Sequence, residues 1–127
     1  MTLTRILLVE DNVKNLKLVR DVLRHAGFDV VEATTGEDGV RMARELRPDL
    51  ILMDLQLPGI DGAEALRQIR AEPATRSVPA VAVTAFAMPE DRQLAFDHGF
   101  NGYVSKPISV RSLPQQVHDF LTLGDAS

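Results

Sequence analysis

The chain has 127 residues, 45% of them hydrophobic, with 14 Lys and Arg against 18 Asp and Glu for a net charge of −4. That length suits one domain, the apolar fraction is enough for its core and argues against disorder, and a mildly acidic balance argues against a sequence-independent grip on nucleic acid. With no cysteine, disulfide frameworks, thiolate metal sites and cysteine nucleophiles are excluded too.

The first predicted strand is Arg5–Val9, whose apolar run Ile6–Val9 stops at Glu10 and Asp11. A membrane span takes about 20 apolar residues, so this start predicts a soluble, cytoplasmic protein without membrane attachment. A helical stripe follows, with Val13, Leu16, Val19, Leu23 and Ala26 on one face, and Gly27 is placed to end it in the left-handed conformation. The second strand is expected at Phe28–Glu32. Thr34-Thr35-Gly36-Glu37 then reads as a capping box or a close relative, ahead of a helix with Val40, Ala43 and Leu46 inward.

The third strand, Leu50–Asp54, is almost wholly apolar until its last residue, as expected of a strand covered on both faces. Asp61-Gly62-Ala63-Glu64 resembles a second capping box. The fourth strand is expected at Val78–Thr84. Pro89 with Glu90 and Asp91 suits a helix first turn, Gly99 a helix end, and Gly102–Ser105 the fifth strand. The final helix presents a conflict. Ser109 could cap it, but Pro114 would then lie inside it against the carbonyl of Val110, at a cost of about 3 kcal/mol. Ser112 is the better cap, with Gln115 completing a box. The expectation is therefore a tight turn or 3₁₀ segment over 109–112 and a helix from about Leu113 to Leu121, with Val117 and Leu121 inward. A shortened final helix would displace the docking edge around Arg111. A frayed tail is expected over 124–127. Five strands alternating with five helices predict an α/β fold, an open parallel sheet wrapped by helices on both faces.

In such sheets ligands bind beyond the carboxyl ends of the strands. Those ends here carry Glu10 and Asp11, Asp54, Thr84, and Lys106 just past Ser105. Three carboxylates within ~4 Å repel by roughly 4 kcal/mol per pair at an effective dielectric of ~20. A hard divalent cation relieves that, and oxygen ligands with room for water suit magnesium. One carboxylate is then left as a nucleophile toward phosphorus, with Thr84 and Lys106 placed to hold phosphoryl oxygens.

The segments ILLVEDN, PDLILMDLQLPGIDG, VPAVAVTAFAM and AFDHGFNGYVSKP resemble the receiver domain of two-component response regulators, from Arg5 to about Leu121. The resemblance implies a flavodoxin-like, doubly wound (βα)5 fold of strand order 2-1-3-4-5, with the receiver spanning 1–123. It implies a phosphoacceptor at Asp54, and magnesium held by Asp11, Asp54 and the backbone carbonyl of Gln56, with Glu10 acting through water. Thr84, Ala85 and Lys106 would bind the phosphoryl group, Thr84 and Tyr103 would form the switch, and Pro107 is a candidate cis-proline. The implied phosphodonor is a sensor histidine kinase or a histidine phosphotransfer protein. The implied output is a signalling protein docked on the fourth helix, fifth strand and fifth helix. EDN, TAFAM and KPIS look most like DivK-type single-domain regulators, which are phosphoacceptors rather than enzymes, although receivers cut from hybrid histidine kinases share the wording.

Two other classes fit less well. An aspartyl-phosphate phosphohydrolase needs an acid two residues beyond its nucleophile, where this chain has Gln56. A flavodoxin-like cofactor binder needs a Ser/Thr/Gly-rich phosphate loop where this chain has Glu10-Asp11-Asn12. His25, His98 and His118 read as surface residues, and Met42, Met53 and Met88 as packing. Phe86 could shield a phosphoryl group or fill a surface groove.

Overall fold

The computed structural model describes residues 3–86 and 88–125, with side chains through residue 122. Its strands are β1 (Arg5–Val9), β2 (Asp29–Ala33), β3 (Leu50–Asp54), β4 (Ala80–Thr84) and β5 (Gly102–Ser105). Its helices are α1 (Val13–His25), α2 (Gly36–Leu46), α3 (Gly62–Ala71), α4 (Pro89–Asp97) and α5 (Leu113–Asp125). All strand pairs are parallel, in the order β2-β1-β3-β4-β5. This is the five-stranded, doubly wound, flavodoxin-like sheet expected. No helix among the described residues is long and apolar enough to cross a membrane.

Alternation along each strand sorts the core into two layers. Ile6, Leu8, Leu50, Leu52, Val81 and Val83 point to one face, where α1 contributes Leu16, Val19 and Leu23 and α5 contributes Leu113 and Val117. Leu7, Val9, Ile51, Met53, Ala80 and Ala82 point to the other, under α2, α3 and α4. Each large side chain fully buried in these layers contributes about 1.5–3 kcal/mol. The two ends of the predicted α1 stripe are the exception. Val13, the first residue of α1, is 74% exposed, and Ala26, which caps its end, is exposed too.

Several boundaries differ from expectation for local reasons. Phe28 belongs to the end of α1, since its N–H bonds Leu23 across Gly27, which has φ +98°; β2 therefore starts at Asp29 and runs to Ala33. β4 starts at Ala80, after a 3₁₀ turn Pro73–Thr75 whose carboxyl end takes the Val78 N–H, and after Pro79, which has none to give. Thr35 rather than Thr34 caps α2, taking the Asp38 N–H, and Glu37 turns elsewhere. Asp61 caps α3 through the Glu64 N–H at 2.9 Å, but Glu64 pairs with Arg67 instead of closing a box. Pro89 occupies the first turn of α4, and the Met88 N–H donates to Asp91.

The last helix begins at Leu113 as expected, with Pro114 in its first turn and 110–112 as a turn before it. Ser109 Oγ takes the Ser112 N–H, but Gln115 makes no capping box, its amide donating to Asp119 one turn ahead. Val117 is buried and Leu121 packs on the core, yet the helix continues to Asp125 rather than ending near Leu121. The expected tail is thus helical over 124–125, and Ala126 and Ser127 lie outside the described residues. Met53 and Met42 pack inward, whereas Met88 is 60% exposed beside Pro89. All three histidines are exposed, His118 leaning on Phe28 with ring centres 5.0 Å apart.

Candidate functional site

The pairing register brings the polar residues together. β1 and β3 run side by side, with Val9 opposite Met53, so Glu10 and Asp54 emerge as neighbours at one edge of the sheet. Both are nearly sealed from solvent, at 3% and 4% exposure, while Asp11 is exposed. Ligand oxygens of Glu10, Asp11 and Asp54 all lie within 4.8 Å of one another. Such a donor set, oxygen-only and partly open to water, fits a hard divalent cation.

Lys106 reaches into this cluster from the far strand of the sheet. Its backbone N–H bonds the Thr84 carbonyl at 2.8 Å, continuing the β4–β5 ladder by one residue. Its ammonium then donates to Asp54 Oδ2 at 2.6 Å and to both Glu10 oxygens at 3.2 and 3.3 Å. Burial pulls the Lys106 pKa down, but the hydrogen bond and charge of Asp54, with those of Glu10, outweigh it and leave the pKa raised. Burial, and then the hydrogen bond and negative charge of Asp54, push the Glu10 carboxyl up to about 7, against Lys106 and an Asn15 hydrogen bond that lower it. One ammonium does not neutralise three carboxylates.

The other Asp54 oxygen, Oδ1, accepts the Gln56 backbone N–H at 2.8 Å. That bond fixes the start of the loop after β3, which Gly62 N–H to Leu55 O closes at its base. Gly62 is obligatory there, because a Cβ would lie 2.5 Å from the Asp54 carbonyl oxygen. Sequence reasoning missed Gly62, Asn15 and the Gln56 N–H as parts of the site. A glycine next to a cap aspartate was the available sign for the first; the other two carry none.

Thr84 lies at the end of β4, 1% exposed, and its hydroxyl accepts the Phe86 N–H at 3.1 Å rather than meeting a carboxylate. Ala85 and Lys106 share a surface hollow with Pro107, whose peptide bond to Lys106 is cis. Phe86 is 53% exposed and, with Thr84, Leu55, Leu94 and Ala95, lines a cavity of about 220 Å³ between α3 and α4. Tyr103 stands opposite Ala82 on the sheet face that Thr84 shares. Its ring lies under the Arg92 guanidinium at 5.4 Å, and its buried hydroxyl has no hydrogen-bond partner among the described residues. Burial raises that phenol's pKa, against the charge of Arg92.

Known proteins share this sequence pattern and this fold. The family model for the response regulator receiver domain matches residues 6–118. The polar-differentiation response regulator DivK of Brucella anthropi is 40% identical over 121 residues, which cover 95% of this chain and 97% of that protein. A putative response regulator from Chloroflexus aurantiacus superposes with a TM-score of 0.90 at 30% identity, covering 95% of this chain and 99% of that one. The receiver domain of a sensor histidine kinase from Pseudomonas aeruginosa gives 0.88 at 38% identity with the same coverage. That structure holds a magnesium ion in its active-site cleft.

Proposed function

This chain belongs to the response regulator receiver family and is a DivK-like protein of phosphorylation-dependent signalling; from that premise we propose that Asp54 is its phosphoacceptor. The observation that carries the assignment is the placement of Asp54. It ends β3, is 4% exposed, has Lys106 at 2.6 Å, and shares a 4.8 Å cluster with Glu10 and Asp11.

Asp11, Asp54 and the Gln56 carbonyl would hold magnesium, with Glu10 reaching it through water. The ion would supply the positive charge that Lys106 alone does not, next to incoming phosphoryl oxygens. An Asp54 oxygen takes the phosphoryl group as the donor's phosphorus–nitrogen bond breaks, and the donor imidazole leaves with a proton. Lys106, already hydrogen-bonded to Asp54, moves its ammonium to a phosphoryl oxygen. The Ala85 backbone and the Thr84 hydroxyl bind another, the hydroxyl giving up the Phe86 N–H. The modification adds about −1.5 to −2 charges at the sheet edge. Movement of Thr84 opens room on its face for Tyr103, whose hydroxyl has no partner to lose among the described residues.

The donor in this reading is a sensor histidine kinase or histidine phosphotransfer protein, acting in the cytoplasm. The output is docking of a signalling protein on the face of α4, β5 and α5, where Phe96 is 47% exposed beside Arg92, Tyr103 and Phe120. The chain performs no further catalysis. Gln56, two residues beyond Asp54, offers no acid for a phosphohydrolase.

The test is labelling by a small phosphodonor with magnesium. Asp54 alone should be labelled, and Asp54→Asn or a chelator should abolish the label. Label that persists in Asp54→Asn, or without metal, overturns the assignment.

A further inference from the structure

We propose that Glu37, at the start of α2, is a positioning residue for the metal site, acting through the loop of residues 55–61. This rests on the reading that the Gln56 carbonyl is a magnesium ligand.

The loop leaves β3 at Asp54 and returns at α3. Its two ends are fixed, one by Gln56 N–H to Asp54 Oδ1 at 2.8 Å, the other by Gly62 N–H to Leu55 O at 3.1 Å. Its apex is not fixed in the same way. Among the described residues, the backbone of 57–60 makes one hydrogen bond, from the Ile60 N–H to Glu37 Oε1 at 3.2 Å. Pro58 has no N–H to offer.

Two glycines bring the surfaces together at that point. Gly59 has φ +75°, and a Cβ there would sit 2.6 Å from Glu37 Oε2. A Cβ on Gly36 would sit 2.7 Å from the Ile60 carbonyl oxygen. The backbone on each side is bare where the carboxylate crosses, so Glu37, an exposed residue, still lies against the loop. Glu37 is not one of the three carboxylates of the metal cluster, and it acts from outside it.

The consequence concerns one peptide plane. The Gln56 N–H is tied to Asp54, but the direction of the Gln56 carbonyl depends on the course of the chain from Leu57 onward. That course is set at Ile60 by Glu37. Groups that orient metal ligands from the outside govern affinity without touching the ion.

The experiment compares the wild type with Glu37→Ala, Glu37→Gln and Asp11→Asn. It measures magnesium affinity by calorimetry and Ile60 amide exchange without metal. Glu37→Ala should weaken magnesium about three- to tenfold, the scale of one hydrogen bond, and speed Ile60 exchange. Glu37→Gln keeps an acceptor for the Ile60 N–H and should stay within about twofold of wild type in both, which separates the bond from the charge. Magnesium affinity unchanged in Glu37→Ala overturns the proposal, even if Ile60 exchange rises. Glu37→Gln matching Glu37→Ala overturns it too, since charge alone would then account for the effect. If the wild type takes up no magnesium, or Asp11→Asn binds as well as wild type, the metal-site reading itself fails. The positioning role then falls with it, whatever Ile60 shows.

Discussion

Replacing Asp54 with Asn removes a charge from a nearly sealed site, and the sign of its effect on stability follows from the neighbours. The variant's amide has one acceptor oxygen for two donors, so with that oxygen on the Gln56 N–H it loses the 2.6 Å bond from Lys106 and presents its own N–H donors there. A charge-assisted bond of this kind contributes about 1.5–3 kcal/mol. Breaking a buried ion pair often costs 3–5 kcal/mol, because the surviving charge is left alone. Lys106 is not left alone, since Glu10 oxygens remain at 3.2 and 3.3 Å. Against the loss stands relief of repulsion. Carboxylate oxygens no farther apart than 4.8 Å repel by about 3.5 kcal/mol per pair at an effective dielectric of ~20. At pH 8, above the value of about 7 for Glu10, that repulsion is present in the wild type. Asp54 has two such partners, Glu10 and Asp11, so about 7 kcal/mol of repulsion is relieved, while on the same scale the Lys106 ammonium at 2.6 Å attracts Asp54 by about 6 kcal/mol, and the two effects nearly cancel. Urea unfolding in chelator at pH 8 should therefore place Asp54→Asn within about 1 kcal/mol of wild type. Excess magnesium should stabilise the wild type more than the variant, by the linkage between binding and folding. A loss of 3 kcal/mol or more in chelator would refute the cancellation and make the Lys106–Asp54 pair a net stabiliser.

Gly62→Ala forces a Cβ to 2.5 Å from the Asp54 carbonyl and 2.9 Å from Leu55 Cα, both backbone, so it should lower stability by about 3 kcal/mol or more and weaken labelling of Asp54; a melting temperature matching wild type would contradict that crowding. Tyr103→Ala should leave Asp54 labelling intact and reduce phosphate-dependent partner binding, measured with the co-purified partner; an equal response to phosphate would make Tyr103 core alone. Because Tyr103 is the one tyrosine and the chain has no tryptophan, its emission should change on phosphorylation in wild type and not in Asp54→Asn. Pro114→Ala should let Val110 accept a helical bond and extend α5 toward Ser109 by backbone chemical shifts, at a cost of about 0.4–1 kcal/mol from the freer unfolded chain, with Asp54 labelling unchanged. An unchanged start at Leu113 would show that Ser109 and Ser112, not the proline, set that end.

Local pattern carried much of this protein. The apolar runs at Ile6–Val9 and Leu50–Met53 announce strands covered on both faces, and the residues that break them, Glu10 and Asp54, mark the edge at which sheets of this kind bind ligands. Pro114 located the start of α5, because a missing N–H is tolerated only in a first turn. The strand order came from the likeness to a family, since hydrophobic periodicity reports which residues face inward and not which strand lies beside which. Where two short patterns overlapped, as at Thr34 and Thr35, spacing alone could not choose the cap.

Tertiary structure decided the partners. Asp54 and Lys106 are 52 residues apart, and only the parallel register of β3, β4 and β5 puts the ammonium on the carboxylate. The same holds for Glu37 on Ile60, 23 residues away, whereas Asn15 on Glu10 and the Thr84 hydroxyl on the Phe86 N–H are local contacts whose choice rests on rotamers. A sequence states which donors and acceptors exist. Which of them meet depends on crossovers that fix the spacing of whole elements, and on rotamers that packing selects once those elements are in place.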